Sequence, residues 1–117
     1  MSKFDKLSVI MSVYNSEESL GDSIESILVQ TYENFEFLIM DDGSDDNSPK
    51  ILDDYAKQDN RIKIFKNSKN LGLTKSLNIL ISSSNGECLA RQDSDDISSE
   101  DRFEKQLNYL SLNNLDE

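Results

Sequence analysis

Leu7-Ser8-Val9-Ile10-Met11-Ser12-Val13, followed at once by Tyr14-Asn15-Ser16, decides the fold. The run is β-branched and almost continuously apolar, the pattern of a strand buried on both faces. It stops at a turn with helix-capping side chains, after which Leu20, Ile24, Ile27 and Leu28 recur at helical spacing. Working outward, Phe35 to Met40 (FEFLIM) repeats the buried-strand pattern and breaks at Asp41-Asp42-Gly43-Ser44-Asp45-Asp46-Asn47. Ser48-Pro49 then offers an N-cap and first-turn proline for a helix carrying Ile51, Leu52 and Tyr55. Arg61 to Lys66 alternates charged and apolar residues, as a strand with one face less buried would. Asn67 to Gly72 reads as a polar turn, and Leu73, Leu77, Leu80 and Ile81 form the stripe of a third helix closed by Ser82 to Gly86. Glu87 to Arg91 is the fourth strand. Ser98 and Asp101 have capping-box spacing before a last helix that turns Phe103, Leu107 and Leu110 inward. The expected fold is α/β: a Rossmann-like, mostly parallel sheet of about four strands with right-handed crossovers and helices on both faces.

Composition narrows the partners. The chain has 117 residues, enough for one domain, and 12 Lys and Arg against 23 Asp and Glu give a formal charge of −11. Such a chain repels phosphate backbones and anionic lipid, so nucleic acid is not an expected partner. There is no histidine, which removes His-metal sites and Ser-His triads from this chain. The single cysteine, Cys88, has apolar neighbours and is expected as a buried core thiol. Met1 to Lys6 is charged and no apolar run approaches a membrane span, which reads as cytoplasmic.

Chemistry concentrates where strands end. In open parallel sheets ligands bind outside the carboxyl ends of the strands, where strand order reverses. Ser12 to Asn15, Asp41 to Ser44 and Asp93 to Asp96 all fall at that edge. The last of these, within Ala90-Arg91-Gln92-Asp93-Ser94-Asp95-Asp96, packs three carboxylates into four residues. Carboxylates so close repel unless a positive charge sits among them, and a divalent cation held by oxygen ligands is the compact answer. A metal on Asp95, helped by Asp93 or Asp96, would bridge diphosphate oxygens, with Tyr14 offering an aromatic face and Asp42 accepting from a base N–H or ribose hydroxyl. No GxGxxG or GxxxxGK[ST] is present to cradle phosphates, and neither acidic stretch has the glycine and spaced acids of an EF-hand.

Four segments carry a resemblance: SVIMSVYN (8–15), ILVQTYENFEFLIMDDGSDD (27–46), NLGLTKSLN (70–78) and NGECLARQDSDDIS (85–98) followed by Asp101-Arg102. Together the chain resembles the N-terminal, nucleotide-sugar-binding half of a family 2 glycosyltransferase of the GT-A fold, in particular bacterial enzymes of surface-polysaccharide synthesis. The resemblance implies that Asp93 and Asp95 are the ends of a DxD motif. Asp95 would then be the main ligand of Mn2+ or Mg2+, and Asp93 would lie near ribose and diphosphate. It implies Asp42 at the uracil or ribose, Tyr14 on the base, and Ser12 and Ser94 among the donor contacts, although Ser12 departs from the proline common at its position. Lys75 and Arg91 are phosphate neutralisers by charge and location. The implied partners are a nucleotide-sugar donor, with UDP favoured, and a saccharide or lipid-linked acceptor. The implied reaction is a metal-assisted, inverting displacement whose general base lies in the C-terminal half of the domain, beyond residue 117. The chain is therefore expected to be the donor-binding portion, without the acceptor portion and without efficient transfer of its own. Self-association through an uncovered sheet edge and peripheral membrane association through segments outside the chain are further expectations.

Other classes fit less well. A receiver domain needs an acidic pair after the first strand and a phospho-accepting Asp after the third, where this chain has Ser-Val-Tyr-Asn and Lys-Asn-Ser. A nucleotidyltransferase needs a glycine-rich, basic segment where Asn15-Ser16-Glu17-Glu18 stands. A non-catalytic assembly module gains weight if no nucleotide binds.

Overall fold

A computed structural model describes residues 6–113, so residues 1–5 of the charged N-terminal stretch lie outside the described residues. The elements run β1 (Leu7–Val13), α1 (Leu20–Leu28), β2 (Phe35–Asp42), α2 (Ser48–Gln58), β3 (Ile62–Asn67), α3 (Leu73–Ser83), β4 (Cys88–Arg91) and α4 (Arg102–Asn113). The strands form one sheet in the order β3-β2-β1-β4, with every pair parallel. The chain steps from β1 through β2 to β3 in one direction, then jumps back across both to place β4 on the far side of β1. Right-handed crossovers therefore put α1 and α2 on one face and α3 on the other. The strand order reverses between β1 and β4.

The core follows that division. On the first face Val9, Met11 and Val13 of β1 and Phe37 and Ile39 of β2 pack under Leu20, Ile24 and Ile27 of α1, Leu52 of α2 and Phe103 of α4. Phe103 meets Phe35 edge-on, with centroids 5.7 Å apart at 71°. On the second face Ile10, Leu38 and Met40 pack against Leu80 and Leu77 of α3. Because one helix covers that face along a single line, only Ser76 and Leu80 of α3 are buried. Leu73 and Ile81, expected in the stripe, are 48% and 43% exposed.

Several boundaries differ from the sequence reading for identifiable reasons. β2 does not stop at Met40; Asp41 and Asp42 continue the ladder beside Lys66 and Asn67 and are buried. Buried charge there is tolerated because each carboxylate finds donors, Asp41 from the Ser44 amide and Asp42 from the β3–α3 loop. Ser48 is not the N-cap of α2: Asn47 occupies that position, and the Ser48 hydroxyl accepts from the Ser16 amide instead. Ser98 caps nothing, since α4 begins at Arg102 and the Ser98 hydroxyl donates to Gln92 Oε1. Cys88 is half-buried rather than buried, because its strand lies at the edge of the sheet; burial still pushes its thiol above the ordinary value. No helix among the described residues is long and apolar enough to cross a membrane.

A buried polar cluster fastens the amino end of the sheet. Glu36 of β2 is 2% exposed and accepts from Ser8 Oγ (2.6 Å), the Asn85 amide (2.6 Å) and Lys63 Nζ (2.9 Å). Ser8 Oγ in turn accepts from the Gly86 amide at 2.7 Å. A Cβ on Gly86 would lie 2.5 Å from Ser8 Oγ and 2.6 Å from its amide nitrogen, so only glycine lets the α3–β4 connection touch β1 here. Burial alone would raise the Glu36 carboxyl, but the donors of Ser8, Asn85 and Lys63 outweigh it and hold the carboxyl at about 2.

Candidate functional site: a cleft at the carboxyl edge of the sheet

The carboxyl ends of β1, β2 and β4 open onto a cleft of about 410 Å³. Its lining includes Ser12, Tyr14, Asp42, Arg91, Asp93, Ser94 and Asp95, so the structure gathers into one place residues that stand far apart in the sequence. Lys75 is exposed on α3 and is not among the lining residues. Ser16, Asn70, Gly72 and Leu73 also line the cleft; none is among the expected site residues, although the last three fall in the NLGLTKSLN segment (70–78). Asn70, Gly72 and Leu73 follow β3, and the rule that places ligands beyond strand carboxyl ends applies to β3 as much as to its neighbours.

Tyr14 leaves β1 with its side chain in the cleft wall and the residue half exposed. Asn15 takes a left-handed backbone (φ 48°), which Asn tolerates better than most residues. There its amide donates to Ser44 Oγ, and its Oδ1 accepts from the Asp45 amide. These bonds stitch the β1 loop to the β2 loop directly after Tyr14.

Asp42 is 2% exposed and its accepting capacity is largely occupied. Oδ1 accepts from Asn67 Nδ2 and the Leu71 amide, both at 2.8 Å, and Oδ2 from the Gly72 amide at 3.0 Å. Burial opposes ionisation, but the Leu71, Asn67, Gly72 and Ser76 donors prevail and keep the carboxyl below the ordinary value. The side chain thus anchors the β3–α3 loop as well as reaching the cleft wall. Gly43 makes the close approach workable: with φ 76°, a Cβ there would lie 2.6 Å from the Asn70 amide nitrogen.

The loop after β4 carries the charge. Carboxylate oxygens of Asp93, Asp95 and Asp96 lie within 4.8 Å of one another, with Asp93 half-buried and the others exposed. An all-oxygen donor set of this kind suits a hard divalent cation such as Mg2+ or Mn2+, so the residues present fit the metal that the sequence suggests. Arg91 Nε sits 2.9 Å from Asp93 Oδ1, an ion pair with both partners about half exposed. The loop backbone is held from α1 and the turn before it: Ser23 Oγ donates to the Asp93 carbonyl and Ser19 Oγ to the Ser94 carbonyl, while the Ser16 and Ser94 hydroxyls meet at 2.8 Å.

A four-stranded parallel α/β sheet with an acidic, oxygen-rich cleft at its switch point is the architecture expected of a GT-A fold. Residues 8–116 match the family model described as glycosyl transferase family 2, and the chain belongs to that family. It is 45% identical over 111 residues to EpsE of Bacillus subtilis, a glycosyltransferase by name, covering 94% of this chain and 40% of that protein. It is 40% identical over 98 residues to glycosyltransferase GlyG of Streptococcus pneumoniae, covering 84% of this chain and 33% of that one. The chain therefore spans about a third to two fifths of these curated relatives. Among solved structures, the Staphylococcus aureus protein TarS (residues 1–349) in complex with UDP-GlcNAc superposes with a TM-score of 0.84 at 27% identity, over 90% of this chain and 31% of that one.

Proposed function

We propose that this chain forms the donor-binding part of a glycosyltransferase that transfers a sugar from a nucleotide diphosphate sugar, with UDP as the nucleotide, to a saccharide or lipid-linked acceptor in polysaccharide synthesis. The observation that carries this reading is the convergence of Tyr14, Asp42, Arg91, Asp93 and Asp95 on one cleft, with the Asp96 carboxylate within 4.8 Å of the last two. TarS has been solved with UDP and with UDP-GlcNAc, which supports a uridine nucleotide here.

Each residue has a task its surroundings allow. Tyr14 packs its half-exposed ring on the base, and Asp42 accepts from a base N–H or ribose hydroxyl by exchanging one of its internal donors. Ser12 and Ser94 contribute hydroxyls along the ribose and diphosphate. Arg91 swings from Asp93 to the diphosphate, a move that costs little because an ion pair this exposed contributes about 0–1 kcal/mol. Asp95 and Asp93 would hold Mn2+ or Mg2+, whose chemistry when bound is neutralisation of the leaving nucleoside diphosphate. Inversion needs a base for the acceptor hydroxyl. Of the carboxylates lining the cleft, Asp42 is held by internal donors and Asp93 and Asp95 are given to the metal in this reading, so that base is assigned to a group outside the described residues.

Calorimetric titration of UDP with and without Mn2+, repeated on Asp95→Ala, tests the reading. Mn2+-dependent binding that is lost in the variant is expected. UDP binding indifferent to both Mn2+ and the substitution would overturn it.

A further inference from the structure

Beneath the acidic loop lies a polar cluster that takes no part in the nucleotide contacts. Gln92, the residue between β4 and Asp93, is 1% exposed and is fixed to the sheet by its backbone amide, which donates to the Ile10 carbonyl at 3.0 Å. That backbone bond continues the β1 ladder one residue past β4, so the side chain leaves a fixed point. Its side-chain nitrogen donates to the Asp96 carbonyl at 2.8 Å and to Ser23 Oγ at 3.1 Å, and Ser23 passes the constraint on by donating to the Asp93 carbonyl at 2.9 Å. Its side-chain oxygen accepts from Ser98 Oγ at 2.7 Å and from Arg102 Nη1 at 2.9 Å. Arg102, the first residue of α4, also donates through Nη2 to the Arg91 carbonyl at 2.9 Å.

We propose that Gln92, oriented by Arg102, is the positioning residue of the acidic loop: one buried amide group sets the backbone at Asp93 and Asp96 and thereby the spacing of the three carboxylates. The chemistry of the position selects glutamine. The side chain must donate to a carbonyl and accept from a guanidinium at the same time, which a carboxylate or an aliphatic chain cannot do. A group of this kind, satisfied on both sides and cut off from water, specifies one loop conformation, whereas half of the network would leave a buried polar atom unmatched. The Asp93, Asp95 and Asp96 carboxylates repel one another, offset only in part by Arg91 on Asp93, so the loop needs such a restraint to keep them together.

The functional half of this inference rests on the donor-site reading; the structural half does not. The test compares the wild-type chain with Gln92→Leu, Gln92→Glu and Arg102→Met, using amide hydrogen exchange at Asp96 and Ser98, Mn2+ titration without nucleotide, and urea unfolding to establish that each variant is folded. Gln92→Glu retains the contacts to Arg102 and Ser98 but cannot donate to the Asp96 carbonyl. It separates hydrogen bonding from mere filling of space. Asp96 and Ser98 are expected to exchange about tenfold faster in both Gln92 variants while the amides of β1 and β2 keep their protection. Mn2+ affinity is expected to fall by about 10–100-fold, the usual cost of losing a group that orients metal ligands. If Gln92→Leu fails to fold, Arg102→Met, which leaves the donating side of the amide in place, carries the same comparison. Unchanged exchange in the folded variants overturns the inference, as does faster exchange with unchanged Mn2+ affinity. A wild-type chain that takes up no Mn2+ overturns the donor-site reading and the metal half of this inference with it, and the exchange data still decide whether Gln92 holds the loop.

Discussion

Replacing Glu36 by glutamine should reveal how much of the fold rests on one buried carboxylate. The carboxyl is held at about 2 against an ordinary value of 4.5, and at about 1.36 kcal/mol for each pH unit that difference corresponds to about 3 kcal/mol. The sign follows from the lowered value. The stabilisation is complete above the unfolded carboxyl's pKa, near 4.5, and disappears as pH falls towards the folded one, near 2. The substituted side chain would present an amide nitrogen where Ser8, the Asn85 amide and Lys63 all bring donors, so Glu36→Gln should lose about 3 kcal/mol at pH 7. Urea unfolding at a series of pH values measures it: the gap between wild type and variant should be widest at about pH 6–7 and close progressively below about pH 4.5. Other carboxylates titrate in both proteins, so the difference isolates Glu36. Two stability curves that fall in parallel between about pH 5 and pH 2 would refute the reasoning.

Two further substitutions probe the walls of the cleft. Gly43→Ala must hold a side chain at φ 76° and push a Cβ into the Asn70 amide nitrogen and the Lys69 carbonyl carbon, both 2.6 Å away, and should cost about 2–4 kcal/mol in urea unfolding. Asp42→Asn turns an acceptor of the Leu71 and Gly72 amides into a group with one donor side, and should cost about 1–3 kcal/mol at pH 7. Because the Asp42 carboxyl lies below its ordinary value of 3.8, that cost should shrink as pH falls below about 4, and UDP titration of the variant should show weaker binding.

The alternation of strands and helices is legible because parallel strands buried on both faces read as nearly continuous apolar runs, as Leu7 to Val13 (interrupted by Ser8 and Ser12) and Phe35 to Met40 (interrupted by Glu36) do. The end of β2 is not, because Asp41 and Asp42 contradict a buried strand by every local criterion. Their burial depends on donors from Ser44, Asn67 and Leu71 that only the folded chain assembles. The same limit explains Ser98, whose spacing to Asp101 suggests a cap but whose hydroxyl is drawn to Gln92 by the tertiary fold. At the cleft, topology alone brings together the loops after β1, β2 and β4. Asn70 and Gly72 read as turn residues although β3 ends at the same edge. Gln92 has no local signal beyond its place next to an acidic triplet; its partners Ser23 and Arg102 lie 69 residues before it and 10 after.

The charge distribution bears on the proposed donor site, which would need both a cation and a rigid loop. With a formal charge of −11, the chain as a whole opposes a diphosphate, and among the described residues lining the cleft Arg91 is the single cation. That cation is committed to Asp93. A diphosphate entering without metal would therefore have to take Arg91 from Asp93 and leave the carboxylates of Asp93, Asp95 and Asp96 unopposed beside it, adding like charge to like. On the proposed donor-site reading, a divalent cation held by Asp93 and Asp95 would supply the missing positive charge and release Arg91 toward the phosphates. On that reading the acidic loop would have to be held ready for the cation ahead of the nucleotide, which brings only more negative charge. Ser16, Ser19 and Ser23 of the β1–α1 region and the buried amide of Gln92 do that holding from beneath, and none of them adds charge to the cleft.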